Sequence, residues 1–358
     1  MPFDVGALRE VIVVFGRLGA TAFGGPAAHV ALQEEECVRR RGWLDRRRFL
    51  DLLAATNLIP GPNSTEMAIH LGRLRAGWPG LVAGGVAFIL PSAILVTALA
   101  AIYVRLGSLP SVEAVLAMLR PAVVAVIFDV LRRFAAQAIT GIVAALVALL
   151  ALAGSLAGVG EVQIVFAAAL AGLGFARLDH ARARSVPLAE LGLICLKIGA
   201  TLFGSGYVLI AYLRTELVGR GWLADQALLD AVAIGQVTPG PVSTAATFVG
   251  YLLAGVPGAV VATVAIFLPA FILVAATGPL IERWRAHPVA HRMLDVVNAA
   301  VVGLIAAVVV RLLPTALGST AQVLTGLAAA ALLALGTSSM LVLASALAAG
   351  IVRAALGG

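Results

Sequence analysis

Two copies of the tripeptide Pro-Gly-Pro, at 60–62 and 239–241, carry the groups best suited to binding an ion, and each is followed one residue later by Ser-Thr. Proline has no amide hydrogen and glycine admits unusual backbone angles, so each copy interrupts a helix and leaves backbone polar groups free. Backbone amides, hydroxyls and side-chain amides can together replace the water around an oxyanion. We assign to this predicted anion site Asn57, Gly61, Asn63, Ser64, Thr65, Gln236, Gly240, Ser243 and Thr244.

Each tripeptide must join two short helices. Residues 49–59 and 62–72 are each 11 residues long, about 16 Å as helix, whereas the apolar core of a membrane is about 30 Å thick. We therefore predict broken, re-entrant helical hairpins, in which Pro62 and Pro241 begin the second half-helix and its positive dipole end faces the anion. A tight kink without a binding role is the alternative.

The predicted helix breaks fall into two pairs. The first pair is formed by the tripeptides, and the second by glycine-rich segments for which close helix packing is the alternative. The residues are Pro60, Pro62, Pro239 and Pro241 in the first pair, and Gly24, Gly25, Pro26 and Gly204 in the second.

Three cations lie inside apolar segments. Arg17 and Lys197 are 180 residues apart and match in the repeat described below, so each half would contribute one positive charge to a dianion. Arg120 directly precedes Pro121 and matches Asn298. A charge buried in a membrane needs a partner, and snorkelling to the membrane interface is the alternative for Arg17 and Lys197.

Glu66 and His70 are predicted to carry protons. They are four residues apart on the second arm of the first hairpin and share a helical face. Carboxylate and imidazole groups can exchange protons in such settings. Their matches are Ala245 and Val249, so this chemistry would be confined to one half, and a structural hydrogen bond is the alternative.

Two further ionisable groups are minor candidates. Asp129 lies beside Arg132 and Arg133 and is predicted to form a surface ion pair with them. His29 matches the apolar Leu209 in the second half.

The chain repeats itself. The pattern Gly-Ala-Thr-x-Phe-Gly at 19–24 recurs at 199–204, and Leu-Pro at 90–91 recurs at 268–269. The order of such matches is kept while their offset drifts from 180 to 178, which two small deletions explain. We therefore divide the chain into a first repeat, 1–180, a cytoplasmic linker, 181–187, and a second repeat, 188–358.

Composition indicates an all-α polytopic membrane protein. Hydrophobic residues make up 61% of the chain and charged residues 12%, against about 25% charged in soluble domains. Residues 1–10 lack a basic region with a cleavage site, so no removable signal peptide is expected. The net charge of +7 comes from arginines in short connections, a pattern that orients a protein in the lipid bilayer and does not indicate nucleic-acid binding.

The arginine distribution predicts an inverted repeat. The connection 39–48 carries six arginines, whereas its match, 212–229, carries two. Because arginine-rich connections stay in the cytoplasm, the two halves should have opposite orientations. The two hairpin tips would then reach one site from opposite faces, with both termini outside the cytoplasm.

Motifs for cofactor chemistry are absent. The sequence has no phosphate-binding loop, zinc-binding helix or nucleophile elbow, so we expect no cofactor, no metal and no ATP-driven transport by this chain alone. Cys37 and Cys195 do not match in the repeat and are predicted to be idle buried thiols. The rival from another class is a membrane-embedded enzyme, which product formation without net flux would favour.

With these residues in view, the chain resembles the chromate ion transporter family in its long, two-domain form. The resemblance rests on the blocks at 23–29, 42–44, 57–62 and 88–91 and on their second-half copies. It implies a multi-pass protein of the bacterial inner (plasma) membrane that exports chromate, with proton coupling, as in an antiporter, or anion exchange, and with sulfate as the isosteric relative. Asn57 stands where glutamine is expected, although Gln236 is kept in the second half.

We therefore predict a secondary transporter, and not an enzyme, that moves a tetrahedral oxyanion by alternating access around the paired tips. Chromate is the predicted substrate. A sulfate transporter or anion exchanger on the same fold is the alternative, and a homodimer stays open.

The inverted repeat predicts that positions 41 and 220 lie on opposite sides of the membrane. In single-cysteine variants at Arg41 and Arg220, a membrane-impermeant maleimide applied to one side should label only one of them. Equal labelling of both positions would contradict the inverted arrangement.

Overall fold

The computed structural model describes residues 4–23, 25–56, 60–106, 109–139, 141–159, 163–164, 167, 187–202, 208–277 and 288–355. Within these ranges the secondary structure is helical and includes no β-strand. Four of the described helices are long and apolar enough to cross a membrane: Asn63–Leu106, Pro110–Ala136, Val242–Ala276 and Val296–Ala316. The chain is thus an all-α membrane protein, as its composition predicts.

The described helices follow the same order in both repeats. The first repeat contains α1 (Val5–Thr21), α2 (Gly25–Glu34) with a π-helical continuation (Glu35–Arg40), α3 (Arg46–Thr56), α4 (Asn63–Leu106), α5 (Pro110–Ala138) and α6 (Ile142–Leu156). The second contains α7 (Leu188–Thr201), α8 (Val208–Leu213) with a π-helical continuation (Arg214–Val218), α9 (Asp225–Val237), a 3₁₀ turn (Val242–Thr244), α10 (Ala245–Thr277), α11 (Pro288–Ala316), α12 (Thr320–Ala334) and α13 (Ser339–Ala355).

The helices around each tripeptide are short. Helix α3 has 11 residues, and α4 is interrupted at Ala76 and Gly77, where Gly77 adopts φ 64°. The α4 segment before this interruption, 63–75, is about 20 Å long and α3 about 16 Å, so neither arm alone crosses an apolar core of about 30 Å. Helix α10 is interrupted in the same way at Ala254 and Gly255.

The two prolines after the tip glycines take a different position from the predicted one. Pro62 and Pro241 do not begin the second half-helices but cap them. The carbonyl oxygen of Pro62 accepts the amide hydrogens of Thr65 and Glu66 at 2.8 and 3.1 Å, and Pro241 is extended, with ψ 131°. The proline carbonyls therefore accept the first hydrogen bonds of each helix, and the helices begin one residue later.

The chain forms two compact units, and each unit draws on both repeats. Unit 1 comprises Met1–Ala98, Pro187–Gly206 and Thr238–Ala290, and unit 2 comprises Leu99–Val186, Tyr207–Val237 and His291–Gly358. The compact units therefore do not coincide with the repeats 1–180 and 188–358. Helices α2 and α3 belong to unit 1, whereas their matches α8 and α9 belong to unit 2.

Buried apolar side chains explain this interleaving in unit 1. Phe15 on α1, Phe49 on α3 and Phe88 on α4 share one core. A second core joins Ile69 on α4 to Ala270 on α10, so a helix of each repeat buries its apolar face against the other. Separating α4 from α10 would therefore remove packing contacts from both helices.

Matched glycines let the first helix of each repeat touch a long helix directly. A side-chain methyl group at Gly19 would overlap the backbone carbonyl of Phe88, and one at Gly199 would overlap that of Ile266. Because the neighbour is backbone in each case, it cannot turn aside as a flexible side chain would. By contrast, no atom lies within 4 Å of the corresponding position at Gly16 on α1.

These contacts predict opposite effects for two alanine substitutions on one helix. Gly19→Ala should lower the free energy of unfolding by about 1–3 kcal/mol because it overpacks the α1–α4 contact. Gly16→Ala, the matched control, should be neutral or stabilising by up to about 1 kcal/mol because it only adds helix propensity. Thermal unfolding in detergent measures both, and equal effects would show that the α1–α4 contact is not tight.

Candidate anion site

Each tripeptide is held by the other repeat, within unit 1. The amide of Gly61 donates a hydrogen bond to the carbonyl of Leu202 at 2.7 Å, and the amide of Gly240 donates to the carbonyl of Ala22 at 2.9 Å. Ala22 and Leu202 match in the repeat and end α1 and α7, so the two bonds form a reciprocal pair. These two amides therefore hold the tips in place and, contrary to expectation, are not free to face an anion.

A second matched pair of contacts surrounds the tips. Gly240 adopts φ 92°, and a side-chain methyl group there would lie 2.6 Å from Cβ of Ser92. At the other tip, the corresponding neighbour of Gly61 is Ala270, at 3.4 Å. Ser92 and Ala270 match at an offset of 178 residues, so each tip rests on the long helix of the opposite repeat.

The hydroxyls predicted for the anion site lie buried directly after the tips. Ser64, Thr65, Ser243 and Thr244 are each at most 2% exposed. The Thr65 and Ser243 hydroxyl oxygens have no hydrogen-bond partner among the described residues. Because a buried hydroxyl without a partner is costly, these two groups are suited to receive a polar ligand.

The other two hydroxyls are engaged. Thr244 Oγ1 donates to the carbonyl of Pro241 at 2.8 Å and lies 3.0 Å from Ser92 Oγ, so the Ser92 hydroxyl is the donor between them. Ser64 Oγ lies 3.5 Å from Nδ1 of His29. The carbonyl of Ser64 accepts a hydrogen bond from the side-chain amide of Gln33 at 2.9 Å.

Glu66 lies against the first tip. Its side chain is fully buried, and neither carboxyl oxygen has a hydrogen-bond partner among the described residues. A methyl group at Gly61 would overlap one of these oxygens, so the carboxyl group directly faces the tip glycine. His70, one turn further along α4, is 4% exposed, and its Nε2 likewise has no partner in the described part of the chain.

Arg17 and Lys197 lie on exposed faces of α1 and α7. The Arg17 side chain is 50% exposed and pairs with Glu36. Burial raises the pKa of Glu36, but hydrogen bonds from Arg41 and Arg17 outweigh burial and hold that pKa below its ordinary value. Glu36 thus stays ionised beside Arg17, an arrangement that favours the interfacial alternative, and the substrate role of the two cations stays a prediction.

Arg120 lies in unit 2, whereas the tips lie in unit 1. Its guanidinium binds Asp230 through Nε at 2.9 Å and Nη2 at 3.0 Å, and it binds Glu113 through Nη1 at 2.6 Å. Tyr103 donates its hydroxyl hydrogen to Asp230 at 2.8 Å. The Arg120 and Asp230 side chains are only 4% and 1% exposed, so Arg120 already has the buried partner that its position requires.

Several predicted residues have a simpler outcome. Asn57, Gly24 and Gly204 lie outside the described residues, whereas Gly25 and Pro26 open α2 after the break that ends α1. Gln236 belongs to unit 2, and its side-chain nitrogen has no partner among the described residues. Asn63 begins α4.

Asp129 forms the predicted ion pairs with Arg132 and Arg133, at 2.9 and 2.7 Å, and both cysteines are buried thiols as predicted.

An apolar groove of about 420 Å³ in unit 2 does not compete as an anion site. Its lining includes Pro121, Phe128 and Leu313 and contains no polar side chain. An oxyanion there would lose its hydration without gaining hydrogen bonds.

Comparison with known proteins identifies the chain's relatives. The family model described as chromate transporter matches residues 9–173 and again residues 189–351. The chain belongs to the chromate transporter family. It is 31% identical over 347 residues to the chromate transport protein of Cupriavidus metallidurans, covering 87% of this chain and 85% of that protein.

Two further relatives agree with this membership. The chromate transport protein of Pseudomonas aeruginosa is 31% identical, covering 85% of this chain and 80% of that protein. The probable chromate transport protein of Synechococcus elongatus is 30% identical, covering 85% and 84%. No solved structure matches this chromate transporter family member.

Three features of the tips were not found from the sequence. The carbonyls of Ala22 and Leu202 carry no side-chain signal at all. Ser92 directly follows the repeated Leu-Pro and differs from its match, Ala270. That difference between otherwise matched segments was the signal that could have identified it.

Loss of the buried ion pair between Arg120 and Asp230 should lower stability strongly, and this effect can be separated from any effect on transport. Arg120→Gln leaves Asp230 buried without a countercharge and should lower the free energy of unfolding by about 3–5 kcal/mol. Arg133→Gln removes an ion pair whose arginine is 56% exposed and leaves Asp129 paired with Arg132, so it should cost at most about 1 kcal/mol. Thermal unfolding in detergent makes the comparison.

Adding Asp230→Asn to Arg120→Gln removes the unpaired carboxylate and should recover part of the stability. Recovery of both stability and transport would assign Arg120 a structural role. Recovery of stability without transport would assign it to the anion path, and the absence of any stability loss in Arg120→Gln would contradict the pair's importance.

Proposed function

We propose that this protein exports chromate from the cytoplasm across the inner membrane by alternating access between two inverted repeats. The names of three relatives in the family support chromate as the substrate. The observation that carries the site is the reciprocal holding of the two tripeptides in unit 1, with the Thr65 and Ser243 hydroxyls buried beside them and without protein partners among the described residues.

The proposed ligand is bound by neutral donors. Beside the amides that donate to the carbonyls of Pro62 and Pro241, the amides of Ser64, Val242 and Ser243 have no acceptor within their own helices. Together with the hydroxyls of Thr65 and Ser243, they offer several donors at the positive ends of two helix dipoles. A tetrahedral oxyanion presents four oxygens in different directions, which suits donors that come from two opposed chain segments.

Glu66 provides the proposed proton coupling. An ionised carboxylate facing Gly61 would repel an anion bound at the same tip, by about 4 kcal/mol for unit charges 4 Å apart at an effective dielectric of 20. The anion is therefore accommodated when Glu66 is protonated. This position favours binding of a proton together with the anion over a proton–anion antiporter, which stays the alternative together with anion exchange.

The membrane potential can drive export in this scheme. Each negative charge leaving a negative interior gains about 2.3 kcal/mol per 100 mV. A dianion accompanied by one proton still carries one net negative charge outward, so export gains energy from the potential. His70 would pass the proton along α4, and Arg17 and Lys197 would attract the dianion at the two membrane interfaces.

Sulfate is the second candidate substrate because it is tetrahedral and doubly charged like chromate. The same donors would serve both ions, so the geometry of the tips does not separate them. A homodimer is proposed as the assembly and is tested by the mass of the protein in detergent, although the hydrogen bonds that hold the tips lie within one chain.

Everted membrane vesicles test this function. Labelled chromate should accumulate in vesicles carrying the wild-type protein, and imposed pH gradients of either sign should change the rate. Faster uptake when the outside of the vesicle is acidic supports movement of the proton with the anion, whereas faster uptake when the inside is acidic supports an antiporter. Glu66→Gln should remove the pH effect, while Glu35→Gln, at an exposed ion pair, should keep it.

The same assay separates the rivals. Complete inhibition by a small excess of sulfate would make sulfate the preferred substrate, and the absence of chromate flux under every gradient would overturn the proposal. Retained transport in both Arg17→Gln and Lys197→Gln would remove these cations from the mechanism.

A further inference from the structure

His29 connects the two tips. Its Nε2 lies 3.1 Å from the carbonyl of Ala22, the same carbonyl that accepts the Gly240 amide at the second tip. Its Nδ1 lies 3.5 Å from Ser64 Oγ at the first tip. The side chain is 1% exposed, and its ring packs edge-on against Phe88, with 5.7 Å between ring centroids.

The partners of His29 fix its hydrogen positions. A carbonyl oxygen only accepts, so Nε2 must carry a hydrogen and donate it to Ala22. In a neutral ring Nδ1 then has no hydrogen and accepts from the Ser64 hydroxyl. In a protonated ring Nδ1 donates to Ser64 Oγ instead, and the hydroxyl hydrogen of Ser64 becomes free to turn elsewhere.

We propose that His29 is a proton-binding residue that sets how many hydrogen-bond donors the first tip offers to the oxyanion. This inference rests on the proposed function and deepens it. A proton on His29 reverses the hydrogen bond to Ser64, and the released hydroxyl hydrogen is donated to an anion oxygen. Proton binding and anion binding thereby favour each other, through a residue that contacts Ser64 after the first tip and the Ala22 carbonyl that holds the second tip.

The contrast between the two tips supports this assignment. Ser243, the match of Ser64, is 1% exposed and has no partner among the described residues, and the match of His29 is Leu209. The second tip thus offers a hydroxyl that forms no hydrogen bond to a histidine among the described residues. Among the described residues, a hydroxyl whose direction depends on a proton therefore lies at the first tip only.

In the described part of the chain, the groups that contact His29 include no other titratable side chain. They are Ala22 from α1, Ser64 from the first segment of α4 and Phe88 from its second segment. The titratable or charged side chains nearest in sequence to these contacts are Glu66 and His70 on α4 and Arg17 on α1, which is paired with Glu36. Variants of Glu66 and His70 must therefore accompany those of His29.

The test measures oxyanion binding to the purified protein between about pH 4 and 8, with chromate and sulfate as probes, and chromate uptake in everted vesicles. In the wild type, the dissociation constant and the KM for chromate should rise about tenfold as the pH rises and His29 loses its proton, the effect of one charge-assisted hydrogen bond. In His29→Gln, which keeps a donor for Ala22, this tenfold step should be lost, so that any pH dependence left comes from Glu66.

Two further variants and one control variant keep the test decisive. His29→Asn places a polar group near the former Nδ1 position and should also remove this step without unfolding the protein. Ser64→Ala should show the same high KM, and combining it with His29→Gln should add no further loss, because both remove one interaction. Thr263→Val, which removes a half-buried 2.8 Å hydroxyl contact with Thr247 in the same unit, should keep the pH dependence.

The outcomes separate this inference from the proposed function. A pH dependence of binding in His29→Gln that equals that of the wild type overturns the role of His29, whereas loss of the gradient effect on uptake in Glu66→Gln supports the coupling proposed for Glu66 and leaves the role of His29 intact. Binding of chromate that shows the His29-dependent pH step without any flux overturns the proposed transport and leaves the proton site intact. The absence of oxyanion binding at any pH overturns both.

Discussion

The structure of unit 1 depends on the requirement that buried backbone polar groups find hydrogen-bond partners. Two Pro-Gly-Pro breaks in an apolar chain would each leave amides and carbonyls exposed to hydrocarbon, at a cost of several kcal/mol per group. In this chain, each repeat supplies the hydrogen-bond acceptor for the tip amide of the other repeat. The Gly61 amide bonds to Leu202 and the Gly240 amide to Ala22, so each repeat satisfies the break of the other. This exchange brings the two tips into one unit and leaves the hydroxyls beyond them available.

Small differences between the repeats then determine the chemistry. Ser92 supports Thr244 at one tip, whereas Ala270, its match, leaves Thr65 without that partner. Glu66 and His29 occur only in the first repeat. A duplicated scaffold therefore holds the tips symmetrically, while the residues able to bind protons lie on one side. Such asymmetry is what a coupled transporter needs, because anion and proton must occupy different groups of one site.

The two units differ in their buried charged side chains. In unit 2, the Arg120 guanidinium is bound by Asp230 and Glu113, so a cation within an apolar helix is neutralised by the chain itself. In unit 1, the groups around the tips are mostly uncharged, and Glu66 is the buried acid that faces them. Neutral donors bind an oxyanion without requiring a permanent countercharge to be buried after the anion has left.

Much of this was determined by the sequence alone. Proline and glycine break helices wherever they occur, because the constraint is covalent, so the breaks near 60–62 and 239–241, the all-α membrane class and the family could all be predicted. The partners of the tip amides, the interleaving of the repeats and the pairing of Arg120 with a residue 110 positions away were decided only by the tertiary structure. Such contacts depend on how distant helices pack, and a carbonyl that accepts a hydrogen bond leaves no mark on the residue type that carries it.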